Sequence, residues 1–305
     1  MTPKLTYGQA IRDGFQYILK KYPESFVIGQ GVWSPWYVGN SMTDLEKEFG
    51  EDRVIDTPVS ELACTGAAIG AAISGCKPIV IHPRMDFMLL ASDAIINQAA
   101  KWSYMFAGKA KAPVTIRGII NRGGEQGAQH SQALHSLYAH IPGLRVVMPA
   151  TAVDARDLLI ASVLCDDPVL YIDDRWLYEI EDEVLPIKEL NLSEQKPQII
   201  KAGSDLTLVA SSYSVELCKQ VAVILKQENI SCEIIDLRVI NPLNTFNILK
   251  SVQKTGRLCV IDGSWLNCGL AGEIIASVCE RVDLNKLLSK PMRITLPNSP
   301  APTSA

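Results

Sequence analysis

Asp56-Thr57-Pro58-Val59-Ser60-Glu61-Leu62-Ala63-Cys64-Thr65-Gly66-Ala67-Ala68-Ile69-Gly70-Ala71-Ala72 carries the chain from a strand into a helix, and the segments around it repeat that move. Arg53 to Asp56 reads as a short strand, which Pro58 ends because it cannot donate to a sheet ladder. Ser60 is a cap-type residue ahead of a long run of small apolar residues. That run is apolar on almost every side, so the helix is expected to be buried and tightly packed. Its first turn carries one carboxylate, Glu61, at the corner of an otherwise apolar layer, where a charge must be neutralised or paired. Two readings stand at this point. Glu61 is either a helix-start acid resting in the macrodipole field, or a carboxyl group kept partly dry to exchange a proton with a ligand.

Strand and helix alternate on both sides of this segment. Residues 6–21 have helical periodicity, with Ala10, Phe15, Ile18 and Leu19 on one face. Strands are predicted at 26–29, 77–82, 114–119, 144–148 and 169–172, with helices at 92–101 and 152–164. A loop rich in aromatics holds Trp33, Pro35, Trp36 and Tyr37, and a glycine-rich loop runs from Gly123 to Gln132. From about 175 to 203 the sequence turns polar, punctuated by Glu181, Asp182, Glu183, Pro186 and Pro197. A second alternating unit follows, with strands at 206–211, 232–237, 257–262 and 292–295 and helices at 215–228, 245–254 and 270–281. The fold class is α/β, with two doubly wound domains: a larger, mostly parallel one over 1–180 and a smaller one over 204–305, joined by a linker at 181–203.

The whole chain has 305 residues, 48% of them hydrophobic and 20% charged, with a net charge of -4. This composition fits a globular protein and argues against a nucleic-acid or acidic-membrane partner. No apolar run reaches the roughly 20 residues needed to span a bilayer, and no signal-peptide pattern opens the chain. Eight cysteines are spread singly, without a C-x-x-C pair, as expected of free thiols in a reducing cytoplasm. Neither a G-x-G-x-x-G, a P-loop nor a G-x-S-x-G elbow is present. Of the four histidines, His130, His135 and His140 are spaced by five, about 140° apart on a helix, so they cannot converge on one metal. His130 stands apart because a Gly/Gln loop delivers it.

The strings Ile-Asp-Thr-Pro-Val-Ser-Glu (55–61), Ile-Asn-Gln-Ala-Ala-Lys (96–101), Gln-His-Ser-Gln (129–132), Pro-Gly-Leu-Arg-Val-Val-Met-Pro-Ala (142–150) and Ile-Asp-Leu-Arg-Val-Ile-Asn-Pro-Leu (235–243) carry a resemblance over nearly the whole chain. It resembles the beta subunit of the thiamine-diphosphate-dependent decarboxylase component of 2-oxo acid dehydrogenases, of the pyruvate, branched-chain and acetoin types. The two domains are then similar to the pyrimidine-binding and C-terminal domains of transketolase-like enzymes.

The resemblance implies thiamine diphosphate as cofactor. Glu61 would hydrogen-bond the aminopyrimidine ring nitrogen and exchange the proton that activates the thiazolium carbon. Phe87 would stack on the aminopyrimidine, Leu62 would lie against the cofactor, and His130 would handle protons near the reacting carbon. The family's magnesium-and-diphosphate motif, Gly-Asp-Gly followed by Asn, is absent from this sequence. The magnesium-holding half is therefore implied to come from an alpha-type subunit, in an assembly of two alphas and two betas. A lipoyl acyltransferase is the further implied partner. The family's potassium site falls on Val114, Ser162, Cys165 and Asp167; Cys165 is not the usual residue there, which leaves mainly backbone carbonyls as ligands.

The sequence also departs from its relatives. Gln30 stands where an acid is usual. His82-Pro83-Arg84-Met85-Asp86-Phe87 replaces an aromatic-rich stretch and brings His82 and Arg84 to the substrate side. Arg84 either meets a substrate carboxylate or phosphate or pairs locally with Asp86. The chain stops at Thr303-Ser304-Ala305, where relatives continue with a helical segment, so a short end is expected. Three functions remain open on the residues: a 2-oxo acid decarboxylase/dehydrogenase passing its acyl group to a lipoyl carrier, the beta half of a split transketolase or acyloin-type carboligase, and a non-catalytic assembly subunit.

Overall fold

The structure, a computed structural model, describes residues 4–122 and 126–302. Gly123, Gly124 and Glu125 of the glycine-rich loop, and the last three residues, lie outside the described residues.

The strands run in chain order as β1 (Lys4–Thr6), β2 (Ser25–Gln30), β3 (Val54–Thr57), β4 (Lys77–His82), β5 (Thr115–Ile120), β6 (Arg145–Met148), β7 (Val169–Asp174), β8 (Glu181–Glu183), β9 (Gln198–Lys201), β10 (Leu206–Ala210), β11 (Cys232–Asp236), β12 (Arg238–Asn241), β13 (Leu258–Trp265) and β14 (Met292–Leu296). The first sheet has the order β12-β6-β7-β5-β4-β2-β3, and the second β14-β13-β10-β11-β9. All neighbours are parallel except β12 on β6 and β9 on β11, so each sheet carries one antiparallel edge strand. β5 and β7 are buried along their whole length, as expected of central parallel strands covered by helices on both faces. One apolar cluster lies under the Tyr7–Lys21 and Ala152–Val163 helices; a second runs from beneath the Glu61–Ile73 helix into the C-terminal sheet. Tyr7–Lys21 starts at a capping box in which Thr6 Oγ1 accepts from Gln9 N and Gln9 Oε1 accepts from Thr6 N. Among the described residues, no helix is long and apolar enough to cross a membrane.

Three strands, β8, β9 and β12, escape a reading by hydropathy. The acidic Glu181–Glu183 pairs antiparallel with β1, and Gln198–Lys201 edges the second sheet, so hydrogen-bonded ladder rather than apolar pattern orders the polar connection. β12 lies beyond β11 in sequence but joins the first sheet, pairing Val239 with Val147.

The Glu61–Ile73 helix departs from expectation. Thr65, Ala68, Ile69 and Ala72 are buried, but Leu62 is 53% and Ile73 38% exposed, and a Cβ added at Gly66 or Gly70 would meet open space. Uniform hydropathy marks a helix with two faces to cover, and this chain covers one of them. The helix predicted at 92–101 is instead a 3₁₀ turn (Phe87–Ala91), a π-helical stretch (Ala94–Ala99) and an α-helical turn (Ala100–Met105). Such a widened turn is frequent at functional sites.

At the junction of the two units, Arg238 takes a left-handed backbone (φ 61°) and reaches Asp154 with Nε and Nη2 at 2.9 and 2.6 Å. Asp236 beneath it is fully buried; its Oδ1 accepts from Arg238 N, and its Oδ2 has no partner among the described residues. Burial, and then the Asp154 charge, push the Asp236 carboxyl up to about 8. Because this folded value lies above the unfolded one, the stability Asp236 gives is complete below pH 4 and is lost as pH rises towards 8. Asp236→Asn removes that titration while keeping an acceptor for Arg238 N. Urea unfolding at pH 8 should show it more stable than the parent by on the order of 1–3 kcal/mol, with the gap shrinking steadily as pH falls towards 4. A gap that does not change with pH would show that Asp236 is not held as the neutral acid.

Candidate active site

The carboxyl ends of β2, β3 and β4 and the start of the Glu61–Ile73 helix meet around a cavity of about 200 Å³. Open parallel sheets place their ligand sites at this edge. β2 brings Gly29 and Gln30, β4 brings Ile81 and His82, and β3 ends in Thr57. Two glycines make the approach feasible. A Cβ at Gly29 would sit 2.5 Å from Ile81 O, and one at Gly31, where φ is +65°, would sit 2.3 Å from the Tyr37 ring. The chain therefore turns tightly after β2 and sets Trp36 and Tyr37 on the cavity.

Glu61 opens the helix and is partly buried. Ser60 is its N-cap, yet the Ser60 hydroxyl makes no capping bond and lines the cavity. Cys64, one turn on, donates to Thr57 Oγ1 at 3.3 Å. Phe87 leaves 37% of its surface exposed, and the His130 ring meets it edge-on, centroids 5.0 Å apart at 90°. The loop holding His130 is fixed by its neighbours: Ser131 Oγ donates to Asn121 O at 3.1 Å, and Gln132 donates to Asp86 Oδ1 from both N (3.2 Å) and Nε2 (2.9 Å). Asp86 is 5% exposed, and burial raises its carboxyl above the usual range.

His82 is buried, with Nε2 3.0 Å from Thr65 Oγ1. Burial pulls its imidazole down to about 4, so at neutral pH it presents an uncharged ring to the cavity. Arg84 donates from Nε to Gln126 Oε1 (2.9 Å) and from Nη1 to Pro83 O (2.8 Å) and Tyr37 O (3.3 Å). The local pair between Arg84 and Asp86 does not form: Asp86 Oδ1 takes both bonds from Gln132, and Oδ2 has no partner among the described residues.

Glu61, His82, Arg84, Phe87 and His130 thus share one cavity, whereas Leu62 is not among the residues lining it. At the expected potassium position, Val114 O receives Val169 N, Ser162 O receives Cys165 N, and Asp167 pairs with Arg145 at 2.8 Å. Among the described residues, no group of three or more His, Cys, Asp or Glu is arranged to hold a metal ion. Thr57, Cys64 and Gln126 also line the cavity and went unmarked in the sequence. Cys64 had a signal, since it lies three residues after Glu61 and so on the same helical face.

Comparison with known proteins follows the same division. Residues 3–179 match the family model described as transketolase, pyrimidine binding domain, and residues 195–305 match transketolase, C-terminal domain. The chain is 36% identical to the acetoin:2,6-dichlorophenolindophenol oxidoreductase subunit beta of Cupriavidus necator, covering 100% of this chain and 92% of that one. It is 38% identical to the pyruvate dehydrogenase E1 component subunit beta of Rickettsia bellii, over 90% of this chain and 84% of the relative. The corresponding mitochondrial subunit of Rattus norvegicus is 35% identical over 98% and 84%. Among solved structures, one described as split gene transketolase, inactive beta4 tetramer, superposes with a TM-score of 0.75 at 18% identity, over 96% of this chain and 89% of that one, and so shares the fold. With both family models matched in order and these relatives aligned along almost its full length, the chain belongs to the transketolase-like family of two-domain beta subunits that includes those of pyruvate dehydrogenase and acetoin oxidoreductase.

Proposed function

We propose that the chain is the beta subunit of a thiamine-diphosphate-dependent 2-oxo acid decarboxylase, active with an alpha-type partner. The observation that carries this reading is the meeting, in one cavity, of a helix-start carboxyl (Glu61) and a half-exposed aromatic ring (Phe87). An aminopyrimidine ring needs a carboxyl group at its ring nitrogen and an apolar surface against its face, and these two residues fit that need. Bound there, the cofactor supplies the carbon nucleophile and the electron sink for loss of CO₂.

The chain's own residues do the rest. Glu61 holds and releases a proton at the ring nitrogen, and Phe87 orients the ring. His130, at right angles to the Phe87 ring, moves protons at the substrate oxygen. Gln132 and Ser131 keep the His130 loop in place. The neutral His82 adds a hydrogen-bonding group without a charge.

The sequence lacks a diphosphate-and-magnesium motif, so the alpha partner supplies the magnesium site. The exposed face of the Glu61–Ile73 helix, next to the cavity, supports closure of the site by other chains in an assembly of two alphas and two betas. The acyl group then passes to the oxidised lipoyl disulfide of an acyltransferase, which is reduced as the acyl thioester forms.

The test is co-expression with the alpha partner, addition of thiamine diphosphate and magnesium, and assay of a panel of 2-oxo acids with ferricyanide as electron acceptor. Turnover that needs both chains, and that becomes coupled to added lipoyl protein, is the expected result. Turnover of ketose donors with no 2-oxo acid consumed would replace this reading by a split transketolase.

A further inference from the structure

We infer that Arg84 is an anion anchor in the active-site cavity and that the substrate carries a second anionic group, a carboxylate or a phosphate, distal to its 2-oxo acid. This inference rests on the decarboxylase reading above and adds the substrate class to it.

The chain supplies its own control. Arg84 is 6% exposed, and the other two arginines this deeply buried, Arg117 and Arg156, each hold an aspartate, Asp173 at 2.8 Å and Asp157 at 2.8 Å. The less buried Arg122 and Arg238 do the same with Asp174 and Asp154, whereas the part-buried Arg53, which does not line the cavity, is held by the carbonyls of Leu19, Tyr22 and Ser25. A buried guanidinium without a carboxylate is costly, because the desolvated charge keeps no counter-ion. Among the described residues, Arg84 has only neutral acceptors, two backbone carbonyls and the Gln126 amide. The nearest acid in sequence, Asp86, is turned onto Gln132.

A second cation deepens the imbalance. Arg175 donates to Trp36 O (3.1 Å) and Asn121 Oδ1 (2.9 Å), Asn121 Nδ2 donates to Gln126 Oε1 (3.0 Å), and Gln126 holds Arg84. Among the described residues, two guanidinium groups are thus tied together by amides and carbonyls that neutralise neither. Burial first, and Arg175 next, lower the proton affinity of Arg84, with Tyr37 and Asp86 acting the other way. The cavity is the open side of this arrangement, and Arg84 lines it together with Glu61, Phe87 and His130. A planar guanidinium is suited to bidentate binding of a carboxylate or a phosphate.

The experiment uses the co-expressed complex and three donors: 2-oxobutyrate, 2-oxoglutarate and 3-phosphohydroxypyruvate. The parent enzyme should have a higher kcat/KM for one of the two charged donors than for 2-oxobutyrate, and the preferred one identifies the anion. Arg84→Met should lower the charged-to-uncharged ratio of kcat/KM by roughly 10- to 100-fold, mostly through KM, with Arg84→Lys recovering part of it. In parallel, succinate and inorganic phosphate are tested for thermal stabilisation of the complex, which the parent should show with one of them and Arg84→Met should not. A parent enzyme that prefers 2-oxobutyrate, or a ratio unchanged in Arg84→Met, overturns the anchor while leaving the decarboxylase reading standing. Anion stabilisation that depends on Arg84, with no 2-oxo acid turned over, supports the anchor and counts against the decarboxylase reading.

Discussion

Glu61→Gln should cut kcat of the reconstituted alpha–beta enzyme by roughly 10²- to 10⁴-fold, with KM for the 2-oxo acid changed far less. The substitution keeps the shape of the side chain and its place on the first helical turn, and it removes the exchangeable proton. If Glu61 passes a proton to and from the aminopyrimidine, the loss falls on steps after substrate binding and appears in kcat. If Glu61 only complements the helix dipole, as a bare reading of the segment allows, the variant loses about 0.3–1 kcal/mol of stability and keeps its activity. The two outcomes lie far enough apart for steady-state kinetics to separate them. Circular dichroism of the complex titrated with thiamine diphosphate adds a binding readout, which should show that the variant still takes up cofactor and so assign the defect to proton movement. Full activity in Glu61→Gln would remove the catalytic role.

The fold was largely legible because strand and helix alternate in apolar runs that only a covered parallel sheet can bury. β4, β5 and β7 declare themselves in this way. β8, β9 and β12 do not, since Glu181–Glu183 and Gln198–Lys201 are polar edges held by ladder bonds, and β12 is a short strand whose partner, β6, is set by tertiary contact. At the site, Glu61 and His130 were legible as polar groups in unusual company. The role of Arg84 was not, because the choice between a local pair with Asp86 and a ligand depends on where Gln132 points. The exposed face of the Glu61–Ile73 helix was misread because hydropathy reports that a surface is to be covered, and does not say by which chain.

Arg117→Met should destabilise the chain by about 3–5 kcal/mol, more than removal of a surface ion pair. Arg117 and Asp173 lie two positions apart in register on the neighbouring strands β5 and β7, where Arg117 pairs with Tyr171 and Asp173 with Ile119; both are fully buried, bonded Nε to Oδ1 at 2.9 Å and Nη2 to Oδ2 at 2.8 Å. Nη2 also reaches Ser41 Oγ (2.9 Å) and Tyr178 Oη (2.8 Å), and the Tyr178 hydroxyl donates to Asp173 Oδ2 at 2.5 Å. Loss of the cation leaves a carboxylate, a phenol and a hydroxyl without their partner where water cannot replace it. Arg117→Met/Asp173→Leu should cost less than Arg117→Met alone, because an apolar pair removes the orphaned charge. Denaturant midpoints for the parent, both single variants and the double variant form the measurement, and additive losses would show that the pair is not coupled. The network also bears on activity. Ser41 and Tyr178 tie the turn that follows Trp36 and Tyr37 to the central strands; without Arg117 that turn loosens, and Tyr37, whose carbonyl holds Arg84, loses its fixed position beside the cavity. Partial loss of kcat/KM at temperatures well below unfolding is therefore expected in Arg117→Met, and retention of full activity there would confine the network to stability.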